Sequence, residues 1–246
     1  MILSTLRHLL RPRPRPVAAP PVAPWPSEAL GESFPAYRRT FAYAGAWIDE
    51  SHRAISLLPV DGGLIRGPVQ GFLRPADALA LYELAYFASG PVLEMGSAWG
   101  LSTTILCRAV HNSGRRARVE SIEIDPGFQQ ATAQAIAAQG LGRVYRPLPG
   151  DASVEAARLV ERGRTFGFAF IDHDHTYEAT RTACRHLCSL IEPGGLVLFH
   201  DFNDHRNRLE PQTYGVHRGV VELMDGPSWE FLGVIGCCAL VRRHTQ

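Results

Sequence analysis

The chain has 246 residues, enough for one full-sized domain with decoration. Hydrophobic residues make up 46% and charged residues 20%, as in a soluble globular protein, and a formal net charge of +1 excludes a global field that recruits nucleic acid or an anionic membrane. All 25 basic residues are arginine, which excludes a Schiff-base lysine, a pyridoxal phosphate site and a P-loop lysine.

Residues 1–10 are apolar, but the Arg-Pro run follows them instead of preceding them, which is not the order of a signal peptide. No stretch reaches the roughly 18 apolar residues of a membrane span, so none is expected. Seven prolines fall within residues 11–26, and residues 1–26 read as an extended, disordered tail. Residues 27–75 carry Phe34, Tyr37, Phe41, Tyr43, Trp47 and Phe72 without a clean period and read as a lead-in that caps the main domain.

From residue 76 onward strands and helices alternate. Pro75 suits a first helical position and opens a helix to residue 89. Strands follow at 91–95, 118–124, 143–149, 166–172 and 195–201, separated by helices at 101–110, 126–139, 152–163 and 176–191. Asp125-Pro126 is an N-cap with proline behind it, and Pro193-Gly194-Gly195 reads as the stop of the fourth of these helices. A helix at 216–224 precedes two strands joined by a glycine turn. The fold is therefore α/β: a doubly wound, mostly parallel seven-stranded sheet with a C-terminal antiparallel hairpin, formed by residues 76–246. The near-continuous apolar strands fit burial on both faces.

The five cysteines, at 107, 184, 188, 237 and 238, form no CxxC pair. They read as reduced packing residues of a cytoplasmic protein. An all-arginine basic set also fits a GC-rich bacterial genome.

In a doubly wound sheet ligands sit at the carboxyl ends of the strands. The first core strand ends in Glu94-Met95-Gly96-Ser97-Ala98-Trp99-Gly100, where glycines allow a tight turn and close approach of a ligand. The second ends in Glu123 and Asp125, acids placed to accept from ribose hydroxyls, and the third is followed by Gly150-Asp151-Ala152, a place for an acid beside an adenine amine. Acids at three successive strand ends are a sharper signal than one turn. The turn also lacks the G-x-G-x-x-G spacing of pyrophosphate sites.

On these residues, the chain from Gly71 onward resembles the class I S-adenosylmethionine-dependent methyltransferases, in particular the branch with catechol and macrolide-sugar O-methyltransferases. The resemblance implies S-adenosylmethionine as cofactor. It implies Glu94 and Ser102 on the methionine end, Gly96, Ser97 and Gly100 shaping the loop, Glu123 on the ribose, and Asp151 with Ala152 by the adenine.

A second cluster joins Asp172, His173, Asp174 and His175 after one buried strand to His200 and Asp201 after the next. Asp172, His200 and Asp201 are candidate ligands of one divalent ion. Carboxylates suit Mg²⁺, whereas a histidine tilts the set towards Mn²⁺, Fe²⁺ or Zn²⁺. Relatives carry acidic or amide ligands at the positions of His200 and Asp201, so His200 departs from their pattern. His175, three residues after Asp172, is the candidate general base with Asp172 beside it, at the offset where the resemblance implies one. His173 is expected to pack by the cofactor.

The expected reaction is metal-assisted methyl transfer to a hydroxyl of a small molecule, a sugar or natural product, with residues 202–218 capping the site. A homo-oligomer is the base-rate expectation. The alternatives are an NAD-dependent oxidoreductase, or a hydroxylase-like or binding-only relative on the same fold.

Overall fold

A computed structural model describes residues 30–245, so the tail expected over 1–26 lies outside the described residues. Helix α1 (Glu50–Ser56) starts at Asp49, whose carboxylate accepts the His52 N–H and so satisfies one orphan donor of the first turn. Strands β1 (Val60–Asp61) and β2 (Leu64–Ile65) pair through Gly62-Gly63, with φ of 56° and 80°. Two successive positive φ values define the hairpin turn that glycine adopts without strain. Helix α2 (Pro75–Phe87) begins at the expected proline, and the Asp77 carboxylate reaches back to the Arg74 N–H at 2.8 Å.

The core then alternates as its apolar pattern predicts: β3 (Val92–Met95), α3 (Leu101–Asn112), β4 (Val119–Glu123), α4 (Pro126–Ala138), β5 (Tyr145–Pro149), α5 (Ala152–Glu161) and β6 (Phe166–Ile171). Next come α6 (Tyr177–Cys184), α7 (Leu187–Leu190), β7 (Ile191–Phe199), α8 (Arg206–Leu209), α9 (Val216–Met224), β8 (Trp229–Ile235) and β9 (Cys238–Arg243). The seven-stranded sheet has the order β5-β4-β3-β6-β7-β9-β8, with β9 antiparallel to β7 and to β8. Every residue of β3, β4 and β6 is buried, because helices cover both faces. Alternate residues serve opposite layers: Val92, Phe168 and Phe170 pack beneath α2 and α3, whereas Leu93, Met95, Ala169 and Ile171 face the layer holding α5 and α6. Pro147 and Pro149 sit on β5, an edge strand where a missing N–H costs little.

The order in which strands are added to the sheet reverses between the parallel neighbours β3 and β6. Strands β4 and β5 build outward on one side of β3, and α5 returns the chain to β6 on the other. The crevice beyond the carboxyl ends of β3 and β6 is the topological switch point.

Two elements differ from the sequence reading. The helix expected over 176–191 is broken between α6 and α7. Pro193-Gly194-Gly195 does not end it but bulges within β7, where the pairing jumps from Phe166↔Ile191 to Phe168↔Leu196. Proline lacks the ladder donor and Gly194 has φ 79°, so the strand pairs at Ile191, loops out and resumes at Leu196. Among the described residues no helix is long and apolar enough to cross a membrane.

Candidate active site

The turn after β3 is built around Gly96. At φ 90° a Cβ there would lie 2.1 Å from the Asp172 carbonyl oxygen, so only glycine lets the β3 turn close against the β6 turn. Gly100, at φ 92°, starts α3 against Thr132. The Glu123 carboxylate holds the turn: Oε2 accepts the Ser97 and Ala98 N–H groups at 3.0 and 2.9 Å, and Oε1 accepts the Asp125 N–H at 2.9 Å. Ala98, a non-glycine at φ 44°, is kept in place by that pairing and by Thr132 Oγ1 donating to its carbonyl.

Glu94 lies fully buried beneath this turn. Its Oε2 accepts from Thr103 at 2.6 Å and Ser121 at 2.5 Å, and its Oε1 has no hydrogen-bond partner. Burial pushes its carboxyl up to about 7, against hydrogen bonds from Ser102, Ser121 and Thr103 that pull it down. Asp151 is exposed and caps α5, whose first residue is Ala152. Hydrogen bonds from Ser153, chiefly its hydroxyl, hold Asp151 below its usual range.

Asp172 directly follows β6, and His200 and Asp201 directly follow β7. Because Ile171 and Phe199 are in register, the three side chains meet at one point of the sheet edge. His200 Nδ1 stands 3.2 Å from Asp172 Oδ1 and 3.3 Å from Asp201 Oδ1. His175 Nε2 stands 3.0 Å from Asp201 Oδ2 and 3.6 Å from Asp172 Oδ1, and its ring stacks on Tyr214 at 5.0 Å. Asp201 has φ 56°, a strained backbone for a non-glycine residue and one that marks functional turns.

The charges of this cluster set its protonation. Burial lowers the His175 pKa, but hydrogen bonds and charge from Asp172 and Asp201 outweigh it and bring it to about 9. Burial likewise disfavours the charged form of His200, and the same two carboxylates reverse the sign and push it well up. Burial raises the Asp172 and Asp201 carboxyls, and the His200 charge overrides it to leave both low. His173, half-buried, contacts the Asp174 carbonyl through Nδ1 and is pushed down by burial.

A cavity of about 500 Å³ opens over the switch point, within the range of small-molecule sites. Gly96, Ser97 and Ser102 line it together with Asp172, His175, His200 and Asp201. Glu94, Gly100, Glu123, Asp151 and Ala152 stand outside that wall. The β1–β2 hairpin and residues 70–74 roof the cavity from one side, and Asp204 and Arg206 flank it from the segment after β7. Phe72, Trp99 and Phe128 form an aromatic ledge, with Trp99 5.8 Å from Phe72 and 4.8 Å from Phe128.

Two groups here were not anticipated from sequence. Asp77 is fully buried with Oδ2 3.7 Å from His200 Nε2, and Cys237 lines the cavity. Asp77 reads locally as an ordinary helix-start acid, and Cys237 as one more packing cysteine. An acid in the first turn of an otherwise apolar helix was the only sequence signal for either.

The residues present fit the two groups that the resemblance implies. For a divalent cation, two carboxylates and an imidazole offer ligand atoms within 4.8 Å of one another, and neither His200 ring nitrogen has a hydrogen-bond partner. For the nucleoside cofactor, Gly96, Ser97 and Ser102 line the cavity at the switch point, Glu94 and Glu123 lie on β3 and β4 behind the wall, and Asp151 follows β5.

A family model described as a methyltransferase domain matches residues 93–202, from β3 to just past Asp201. No curated protein sequence matches the chain. Among solved structures, the cofactor-bound Rv0187 protein from MTB is similar with a TM-score of 0.59 at 20% identity, over 80% of this chain and 89% of that one. The O-methyltransferase from Bacillus cereus, in complex with SAH, gives 0.59 at 17% identity, over 81% and 94%. The O-methyltransferase TomG from Streptomyces achromogenes, in complex with SAM, gives 0.59 at 17% identity, over 80% and 97%. The fold is that of the class I methyltransferases, as the sequence resemblance implied.

Proposed function

We propose that this chain, with the class I methyltransferase fold as its premise, moves a methyl group from S-adenosylmethionine to a hydroxyl of a small molecule, a sugar or natural product. The observation that carries the reading is the convergence of Asp172, His200, Asp201 and His175 beside the Gly96 turn, at the mouth of one cavity. The similar structures that contain SAM or SAH and are titled O-methyltransferases support the same chemistry.

When bound, the cofactor supplies a sulfonium methyl, and a divalent cation held by Asp172, His200 and Asp201 supplies a Lewis acid for the acceptor oxygen. The chain's own part is alignment and proton transfer, since methyl transfer is an in-line displacement. Glu94, whose Oε1 has no hydrogen-bond partner, and Ser102 serve the methionine end, and Gly96, Ser97 and Gly100 shape the loop around it. Glu123 serves the ribose: its Oε1 accepts one N–H and keeps a lone pair free. Asp151 and Ala152 stand at the adenine end.

His175 accepts the acceptor's proton once a bound cation has engaged the Asp172 and Asp201 carboxylates that otherwise keep its ring protonated. Asp201 and Asp172 fix its ring through Nε2, and Tyr214 fixes its plane. Residues 70–74 and Arg206 line the cavity where the acceptor would sit. All five cysteines are free, in keeping with a cytoplasmic enzyme.

The test is calorimetric titration with S-adenosylmethionine, its demethylated product and NADH in parallel, with and without Mg²⁺. Binding of the first two and not of NADH is expected. Binding of NADH alone would overturn the reading. Full activity after exhaustive chelation would remove the cation from it.

A further inference from the structure

We infer that the Arg74 guanidinium is an anion subsite of the cavity, and that the acceptor carries a carboxylate besides the hydroxyl it offers for methylation. The inference rests on the reading of this cavity as the place of methyl transfer to a small molecule.

Arg74 immediately precedes α2, and its backbone N–H donates to Asp77 Oδ2 at 2.8 Å, which fixes the chain at that point. Its guanidinium carbon lies 3.4 Å from the centre of the Phe34 ring. The terminal nitrogen Nη1 meets Gly63 of the β1–β2 turn, where a Cβ would lie 2.5 Å from it. Glycine at φ 80° therefore leaves the space that the guanidinium fills. An aromatic face attracts a guanidinium but leaves the N–H groups along its edge without an acceptor.

Among the described residues nothing completes that edge: the half-buried Arg74 side chain lines the cavity, donates no hydrogen bond and has no carboxylate within ion-pair distance. The cavity's other arginine, Arg206, is committed, with Nε and Nη2 each 2.9 Å from an Asp204 oxygen.

The chain from Gly71 to Arg74 crosses the roof from the cofactor side to the acceptor side. Gly71 is pressed against Leu101, and Phe72 meets Trp99 at 5.8 Å, both on the turn and helix after β3. Arg74 stands at the other end, on Phe34, whose neighbours are tied to the far wall. Asn203 Nδ2 donates to the Ser33 carbonyl at 2.9 Å, and the Gly236 N–H donates to the Pro35 carbonyl at 2.7 Å. Asp77, which holds the Arg74 N–H, is also 3.7 Å from His200. The guanidinium thus serves the side of His200 and Asp201, at the opposite end of the roof from Leu101 and the methionine end. A guanidinium fork matches the two oxygens of a carboxylate. Asp172, Asp201 and Asp204 on the same cavity repel such a group, so the acceptor is oriented with its carboxylate on Arg74 and its hydroxyl towards His175.

The test loads the full chain with S-adenosylhomocysteine in Mg²⁺ buffer and titrates it calorimetrically with probes matched except for charge: protocatechuate against its amide, and glucuronate against glucuronamide. In at least one pair the carboxylate should bind the wild type at least roughly tenfold more tightly. That preference should vanish in Arg74→Gln and survive in part in Arg74→Lys, with S-adenosylhomocysteine affinity the same in all three proteins. No such preference in either pair, through equal binding or through none, overturns the inference, as does a preference that survives Arg74→Gln. A fall in S-adenosylhomocysteine affinity in Arg74→Gln overturns it too, since the guanidinium then serves the cofactor's own carboxylate. A wild type that does not bind S-adenosylhomocysteine overturns the methyl-transfer reading itself. Should Arg74→Gln fail to fold, Gly63→Asn decides by the same preference, because asparagine tolerates the left-handed backbone and its side chain displaces the guanidinium.

Discussion

Two carboxylates within 3.6 Å of the His175 ring make its protonation the sharpest single-residue consequence of the site. In metal-free protein its imidazole should titrate near 9 by nuclear magnetic resonance, well above the 6.5 of a free histidine. A midpoint near 6.5 would mean that Asp172 and Asp201 do not reach it. Loading the cation site engages those carboxylates, so the same titration repeated with Zn²⁺ should move down. His175→Ala should lower turnover by roughly 10²–10⁴-fold with S-adenosylmethionine affinity retained, and unchanged turnover would reject the base. The placement of Asp172, His200 and Asp201 was legible in sequence because they directly follow buried strands, and strand ends fix position; His175 comes four residues after the end of β6. The partners of Glu94 Oε2, Thr103 and Ser121, were not legible, because nothing local in a strand acid says which hydroxyls the fold will bring to it.

At the level of elements, the strands read well because their signal is local. Burial on both faces makes β3 and β6 apolar runs, and period-two alternation then assigns their faces. The β7 bulge read poorly because Pro193-Gly194-Gly195 carries the same local chemistry whether it stops a helix or bulges a strand. Only the pairing with β6, set by tertiary structure, distinguishes the two. The Asp77 contact was invisible for a related reason, since it joins α2 to a turn 160 residues away.

That contact supports a stability prediction. Asp77 accepts the Arg74 and Cys237 N–H groups, so Asp77→Ala leaves donors without partners and breaks the tie between α2 and the β8–β9 turn. The expected cost is roughly 2–5 kcal/mol by chemical denaturation, with Asp77→Asn milder because an amide oxygen still accepts. Equal effects of the two substitutions would show that charge, not hydrogen bonding, dominates. Gly96→Ala should cost at least about 2 kcal/mol, since left-handed backbone strain and the overlap with the Asp172 carbonyl add together. Stability within experimental error of wild type would mean that the two turns are free to separate.

For the molecule as a whole, the ionisable groups fix how stability varies with pH before any ligand binds. Asp172 and Asp201 have lowered folded pKa values, so their contribution is complete above the unfolded value of 3.8 and is lost only in acid. His175 is raised from 6.5 to about 9, so its contribution is complete below 6.5 and disappears as pH climbs through 9; His200 acts in the same sense. Glu94, raised from 4.5 to about 7, also favours the folded state in its protonated form and loses that contribution between those values. His52 and His173 oppose this, because burial lowers both, and their contribution is recovered as pH rises through 6.5. Below 6.5 the two sets offset one another. Between about 7 and 9 the raised histidines, the end of the Glu94 titration and, towards 9, the thiols of Cys107, Cys184, Cys237 and Cys238, which burial raises from 9.0, all act in one direction, so metal-free stability should fall across that window. His175→Gln should flatten the fall. Added salt should weaken it, because His175 is partly exposed and its pairing is screened. Denaturation curves at pH 6.5, 7.5 and 9 are the measurement. A constant or rising stability would mean that the acid–histidine cluster is not closed in the free protein, and that the site assembles only when its ligands arrive.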